Sequence, residues 1–187
     1  AKKYPEFWSD KIKEPFDAYY GTEIGKIAIA LNFGIKDSVT NVVRLQNFLI
    51  SCSEPGQVLE DVPGNYSFKK KYKDVKKKYD SLVERAKKCI KGKIIFFEYG
   101  GDLSISSDIS NELSYTYPSK YIVVAYKNGK ISNLSLRGRG VKKILEKILE
   151  NVSGSGGGHE DAVGARISTD DLGKFRKLLE SEIGKRN

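Results

Sequence analysis

The chain has 187 residues, of which 39% are hydrophobic, so it can bury a core in one domain or two small ones. Its 33 Lys and Arg residues outnumber its 24 Asp and Glu residues, which gives a formal net charge of +9 at pH 7. No apolar run reaches the roughly 18 residues of a membrane span, and the N-terminus lacks the apolar core of a signal peptide. We therefore expect an intracellular, cytoplasmic protein with no membrane partner.

The charge excess and the two cysteines support further expectations. An excess of positive charge favours nucleic acid or another acidic partner. The same abundance of lysine, in a chain without methionine, is also typical of thermophilic proteins, so the charge alone does not decide. Cys52 and Cys89 have no neighbours at metal-binding spacing, and we expect two reduced, buried thiols.

Residues 1–92 are predicted to form a mainly helical region. Apolar residues at helical spacing predict helices over 21–34 and 37–52, the second beginning at Asp37 or Ser38. A third helix is predicted over 67–92 and ends at Gly92. Its apolar seam comprises Phe68, Tyr72, Val75, Tyr79, Leu82 and Ala86. Its other faces carry lysines that are either solvated or in contact with phosphates, namely Lys69, Lys70, Lys71, Lys73, Lys76, Lys77 and Lys78.

Residues 93–187 have a different pattern, which places a domain boundary near residue 92 and predicts an α+β domain. The expected elements are a buried strand over 93–100, a helix over 106–118, a hairpin over 120–138 around Asn128-Gly129, a helix over 141–152, a strand over 161–168 and a helix over 168–183. Their order, β-α-β-β-α-β-α, predicts a mixed sheet with helices packed on it.

One stretch between these elements, GSGGGHEDAVGARIS over 154–168, contains five glycines and His159, the only histidine in the chain. Glycines allow positive φ and a close approach of backbone amides to an anion. His159 can then donate a hydrogen bond to a phosphate or a base, and Gly164 predicts a second close approach. A flexible connecting loop is the alternative interpretation.

The order of motifs in this half of the chain resembles a known family. The hairpin ends in Ser135-Leu136-Arg137, one amphipathic helix follows, and then comes Gly156-Gly157-Gly158-His159, continued by Ala162 and Gly164. Residues 93–185 thus resemble the DHH-associated domain, the C-terminal half of RecJ-like phosphoesterases, which shows Ser-x-Arg and Gly-Gly-Gly-His-x-x-Ala-x-Gly motifs.

This resemblance implies which residues hold the nucleic-acid or nucleotide substrate. They are Arg137 and the run from Gly156 to His159, and Arg139 is added for its proximity to Arg137. A guanidinium offers a fixed fork of donors to a phosphate. A salt-bridged surface side chain is the alternative for Arg137.

Hydrolases of this family hold two divalent metals, Mn or Mg, in an N-terminal domain with an Asp-His-His motif. This sequence has no Asp-His-His, so the resemblance implies no catalytic residue, no metal site and no cofactor in this chain. Its isolated acids fall near predicted caps and turns, where aspartate is common; they are Asp102, Asp108, Asp161, Asp170 and Asp171.

Our leading hypothesis is a non-catalytic RecJ-like DNA-replication factor from a thermophilic archaeon. The resemblance implies that such a factor binds single-stranded DNA or RNA, or the GINS and MCM replication proteins. The RecJ-derived subunit of the eukaryotic CMG helicase is inactive, and some archaea have a short RecJ-like protein that binds GINS and supports the MCM helicase. Phe7, Trp8 and Tyr20 are candidates for a protein-binding surface, with core packing as the alternative for each.

Two other hypotheses remain open. In the first hypothesis, the chain is the C-terminal substrate-binding fragment of a RecJ-like single-strand exonuclease or oligonucleotide phosphodiesterase. The metal-dependent site of that enzyme then lies in a missing domain. In the second it resembles the related C-terminal domain of alanyl-tRNA synthetases, which predicts binding to tRNA.

Overall fold

The computed structural model of the protein describes residues 11–185. The chain divides into two compact units, with residues 11–78 in the first and 79–185 in the second. Its helices are α1 Pro15–Gly21, α2 Glu23–Gly34, α3 Val39–Ser51, α4 Tyr66–Lys87, α5 Ser106–Thr116, α6 Val141–Leu149 and α7 Leu172–Gly184. The strands are β1 Ile90–Lys91, β2 Ile94–Gly100, β3 Tyr121–Asn128, β4 Ile131–Arg137, β5 Gly154–His159 and β6 Ala162–Ser168.

The described part of the first unit is helical, as the sequence predicts. The Oγ of Ser38 accepts a hydrogen bond from the Asn41 amide at 3.4 Å, which identifies Ser38 as the cap of α3. Short 3-10 turns at Pro55–Val58 and Pro63–Asn65 lead into α4. The buried core of this unit contains Ile27, Ala30, Leu45, Val58 and Phe68. None of the described helices in either unit is long and apolar enough to cross a membrane.

Helix α4 confirms most of the predicted third helix, with two corrections. Val83 is buried and Leu82 is only half-buried, so the seam runs through Val83. The helix ends at Lys87 rather than at Gly92, because Ile90 and Lys91 form β1. Gly92 therefore lies in the turn between β1 and β2, and the predicted boundary near residue 92 falls there, whereas the two units divide inside α4.

The second unit is an α+β fold around one mixed, six-stranded sheet, as predicted. The strand order is β1-β2-β3-β4-β6-β5. Strands β2 and β3 are parallel and are joined through α5, and the other neighbouring pairs are antiparallel. The predicted hairpin is present, and its two-residue turn is Gly129-Lys130. The last helix starts later than predicted, at Leu172, after a 3-10 turn that Ser168 caps.

The glycine-rich run Gly154–His159 is not a flexible connecting loop, the alternative interpretation of the sequence; it forms β5 at the edge of the sheet. Only Gly158 within this strand has a positive φ, of 145°. A Cβ atom on Gly156 would lie 2.7 Å from the Gly164 carbonyl oxygen and 3.0 Å from a methyl group of Leu145 in α6. The glycine at this position therefore allows β5 to pack closely beneath α6.

The two faces of the sheet are covered to different extents. Helices α6 and α7 pack on one face, against the side chains of Leu134, Leu136, Val163 and Ala165, among others. Helix α5 packs on the other face over β3 and β4, where the hydroxyls of Ser106 and Ser135 lie 3.3 Å apart. Within the described second unit, no helix continues over β6 and β5 on this side, where Gly164, Arg166 and all of β5 are exposed.

Candidate nucleic-acid interface

The strand register brings separate sequence motifs into three short rows on the side of the sheet that α5 only partly covers. Directly opposite residues of an antiparallel pair project to the same face. The first row is Arg137, Ala162 and His159; the second is Ser135, Gly164 and Gly157; the third is Asn133, Arg166 and Ser155. We call these nine residues the open face.

The middle row of the open face is a trough with almost no side chains. A Cβ atom on Gly157 would meet no atom within 4 Å, and one on Gly164 would meet only the Leu134 carbonyl oxygen, at 3.8 Å. Packing within the protein therefore does not require glycine at either position. The lack of side chains at these two glycines leaves the backbone of β5 and β6 accessible to a ligand. This accessible backbone lies between the row that holds Arg137 and His159 and the row that holds Arg166.

The guanidinium of Arg137 is oriented by neutral acceptors. Its Nε donates to the Asn111 side-chain oxygen of α5 at 2.8 Å, and its Nη1 donates to the Leu136 carbonyl at 2.7 Å. Burial lowers the pKa of the Arg137 guanidinium. Arginine nevertheless remains charged at neutral pH, because its ordinary pKa is so high. The group is thus a partly desolvated cation, aimed by α5, with donors remaining for an anion.

His159 is held in place by the turn that follows it. In that turn, the Asp161 carboxylate accepts a hydrogen bond from the Gly140 amide at 2.6 Å, and the Asp161 carbonyl accepts one from the Gly138 amide at 3.0 Å. Gly140 precedes the first residue of α6 with φ at 63°. The turn between β5 and β6 is therefore fixed to the start of α6. Because His159 lies on β5 and Arg137 on β4, with β6 between them, the two residues are about 10 Å apart across the sheet.

The structure separates the residues that the sequence groups together. Arg137, Gly157, His159 and Gly164 share the open face. Gly156 and Gly158 pair with Ala165 and Val163, whose buried side chains lie on the opposite face, so these two glycines serve the packing of β5. Arg139 is exposed in the turn beyond β4, where its carbonyl accepts a hydrogen bond from the Tyr121 hydroxyl.

Sequence reasoning missed two side chains near this face, Asn111 and Arg166. Period-two alternation along β6 places Arg166 with Gly164, and this signal was present in the sequence. The contact of Asn111 with Arg137 joins residues 26 positions apart and carries no local signal.

The remaining candidates lie elsewhere in the chain. Tyr20 is half-buried in α1, with its ring 5.1 Å from that of Tyr19; Phe7 and Trp8 lie outside the described residues. The thiols of Cys52 and Cys89 are unpaired and half-buried rather than fully buried. Among residues 11–185, no cluster of three or more His, Cys, Asp or Glu side chains could hold a metal ion.

Comparisons with solved structures place this fold beside two kinds of protein. RecJ from Thermus thermophilus, solved in complex with Mg²⁺, matches with a TM-score of 0.60 and 10% identity, over 91% of this chain and 26% of RecJ. The pGpG-specific phosphodiesterase PggH from Vibrio cholerae matches with a TM-score of 0.59 and 14% identity, over 96% of this chain and 64% of PggH. Exonuclease RecJ bound to manganese matches with a TM-score of 0.52 and 11% identity, over 90% of this chain and 41% of that RecJ chain.

The chain therefore spans about a quarter to two thirds of the length of these structures. A comparison with curated protein sequences finds no match. Residues 81–185, more than half of the chain, match the family model of the DHHA1 domain. The chain belongs to the DHHA1 domain family, which confirms the DHH-associated domain that the motifs predict, and its fold is similar to parts of RecJ and PggH.

Proposed function

We propose that the open face binds single-stranded DNA or RNA through its sugar–phosphate backbone. The observation that carries the proposal is the bare trough at Gly157 and Gly164, which lies beside the oriented guanidinium of Arg137 and the imidazole of His159. Guanidinium and imidazole donate to phosphate oxygens, and a strand without side chains allows the ligand to approach closely.

The chemistry of the open face suits holding a strand rather than cutting it. The accessible side chains among the nine residues supply cations, the Ser155 hydroxyl and the Asn133 amide, and none of the nine is a carboxylate. Two-metal cleavage of a phosphodiester requires clustered carboxylates and imidazoles. We therefore propose a non-catalytic RecJ-like replication factor, which holds single strands or binds GINS in support of the MCM helicase.

A specific observation favours a second candidate function. The likeness to PggH and to exonuclease RecJ extends over nine tenths or more of this chain, and both of those proteins cut phosphodiesters by name. The same open face would then position a substrate for a metal-dependent site outside the described residues. The assay that separates the two candidates uses the full-length protein purified from its host. Mn²⁺-dependent cleavage of a labelled oligonucleotide by that protein would favour the second candidate, and an intact oligonucleotide would favour the first.

Binding is tested by fluorescence anisotropy with a labelled 12-nucleotide strand of DNA or RNA. We expect His159→Ala and Arg137→Gln each to weaken binding about tenfold, because each removes a donor to phosphate. We expect Gly157→Ala to weaken binding as well, since its methyl group fills the trough without touching the protein. Unchanged affinity in all three variants, with unchanged thermal unfolding, would overturn the proposal.

Lys177→Ala provides the matched control. Lys177 is exposed on α7, which packs on the opposite face of the sheet. Its loss removes one positive charge without altering the open face. The replication role has a separate test, in which purified GINS and MCM are mixed with the chain and examined by size-exclusion chromatography. Co-elution supports that role, and separate elution of all components contradicts it.

A further inference from the structure

Arg166 lies at the end of the open face opposite to Arg137 and His159. It is four residues beyond Ala162 along β6, and Ala162 pairs with both Arg137 and His159. At about 3.4 Å per residue, the two cationic ends are about 14 Å apart along the strand. The trough formed by Gly157 and Gly164 lies between them, so the open face has a cation at each end of a bare floor.

The surroundings of Arg166 leave its guanidinium available to a ligand. The side chain is exposed, and its register partners on the two neighbouring strands are Asn133 and Ser155, both uncharged. Among the residues that the structure describes, Arg166 makes no ion pair. A guanidinium held on a rigid strand next to hydroxyl and amide groups matches a phosphate.

We propose that Arg166 is a second phosphate contact, which makes the open face selective for strands of about four or more nucleotides over dinucleotides. The proposal rests on the proposed function of the open face. Along the axis of a stacked helical strand, phosphates recur about every 3.4 Å, so about 14 Å along that axis corresponds to about four nucleotides. The ends of a dinucleotide do not extend from the Arg137 row to the Arg166 row.

The test measures how binding depends on ligand length. Unlabelled strands of two, four, six and eight nucleotides compete with the labelled 12-nucleotide strand for the chain. We expect the wild-type affinity to rise at least tenfold between two and six nucleotides and to change little thereafter. We expect Arg166→Ala to abolish most of this rise, while the affinity of the dinucleotide stays within twofold of its value for the wild-type chain. Arg166→Lys should retain part of the rise, and Lys177→Ala all of it.

The outcomes separate this inference from the function on which it rests. No binding by the wild-type chain, or equal binding by wild type and the Arg137→Gln and His159→Ala variants, overturns the proposed function. If those two variants weaken strands of every length while Arg166→Ala keeps the wild-type length dependence, the role of Arg166 alone is wrong. Equal competition by two and six nucleotides against the wild-type chain also overturns it.

Discussion

Neighbouring glycines of β5 project to opposite faces of the sheet and therefore have different roles. Gly156 faces α6, where a Cβ atom would clash with the Gly164 carbonyl and approach Leu145. Gly157 faces the open side, where a Cβ atom would meet nothing within 4 Å. The first is required by packing, and the second leaves room for a ligand. The sequence alone does not distinguish Gly156 from Gly157, because only the register of the strand determines which face of the sheet each residue occupies.

We expect Gly156→Ala to destabilise the chain by about 1–3 kcal/mol, the usual cost of an overpacked position. Gly157→Ala should leave the free energy of unfolding within about 0.5 kcal/mol of the wild-type value, as at other exposed sites. Urea denaturation followed by circular dichroism measures both. Equal stability of the two variants would mean that β5 does not lie beneath α6 as described.

Tyr99 is a buried side chain that supports the site from a distance. Its hydroxyl accepts a hydrogen bond from the Ile105 amide at 2.8 Å, at the residue that precedes α5. Burial raises the pKa of Tyr99 from 10.0 to about 12. The hydrogen bond between the Tyr99 hydroxyl and the Ile105 amide fixes the start of α5, the helix whose Asn111 orients Arg137.

The raised pKa of Tyr99 predicts a loss of stability in alkali. Because the folded value lies above the ordinary one, the contribution of Tyr99 is fully present below pH 10 and is lost as the pH rises through about 12. We expect the free energy of unfolding of the wild type to fall more steeply over this range than that of Tyr99→Phe. Parallel pH profiles for the two proteins would contradict the assignment.

At the scale of elements, the sequence predicts those helices and strands that bury a regular apolar pattern. The β3–β4 hairpin was found from the Asn128-Gly129 turn signal and its flanking apolar runs, and α6 from its apolar stripe. Strand β5 has only glycine, serine and one histidine, so no side-chain alternation reveals it. It is a strand because β6 and α6 give it partners, and this tertiary effect is absent from local sequence.

The turn between β5 and β6 yields a prediction about positioning. Asp161→Ala removes the acceptor of the Gly140 amide at the start of α6, which should cost about 1–2 kcal/mol of stability, as loss of a helix cap does. It should also weaken strand binding, because the turn that holds His159 is released. Urea denaturation and anisotropy check the two effects. Glu160→Ala is the control, since the backbone carbonyl of Glu160 accepts a hydrogen bond from the Lys142 amide and this bond survives the substitution.

At the scale of the whole molecule, the net charge of +9 predicts binding that weakens as salt rises. For single strands, each lost phosphate contact reduces the slope of log K against log salt by about 0.7. We expect Arg137→Gln and Arg166→Ala each to reduce the slope by about this amount. Anisotropy titrations between 50 and 300 mM KCl, roughly the range over which such slopes are resolved, provide the measurement.

The lysines of α4 test whether charge alone accounts for binding. Lys70, Lys73 and Lys77 are exposed along this helix, and we predict that they are mainly solvated. The triple substitution to glutamine should therefore change the salt slope by less than about 0.7, the value for one phosphate contact. A decrease of about two would show that α4 contacts the strand and that the open face is only part of the binding surface.

The candidate site itself was only partly predictable. Motif order identified Arg137 and His159, which lie on one face as their shared role requires. The same motif included Gly156 and Gly158, whose side of the strand becomes known only from the pairing with Val163 and Ala165. Asn111 comes from a helix far away in sequence, and its contact with Arg137 depends on how α5 crosses β4.

The abundance of glycine in β5 has a thermodynamic consequence for the ligand. Glycine loses more backbone entropy on ordering than any other residue, and an edge strand has a hydrogen-bonded neighbour on one side only. Strand β5 should therefore open more readily than β4, and its amides should exchange with deuterium faster. A bound strand of nucleic acid would slow that exchange, so part of the binding free energy is spent on ordering the surface that binds.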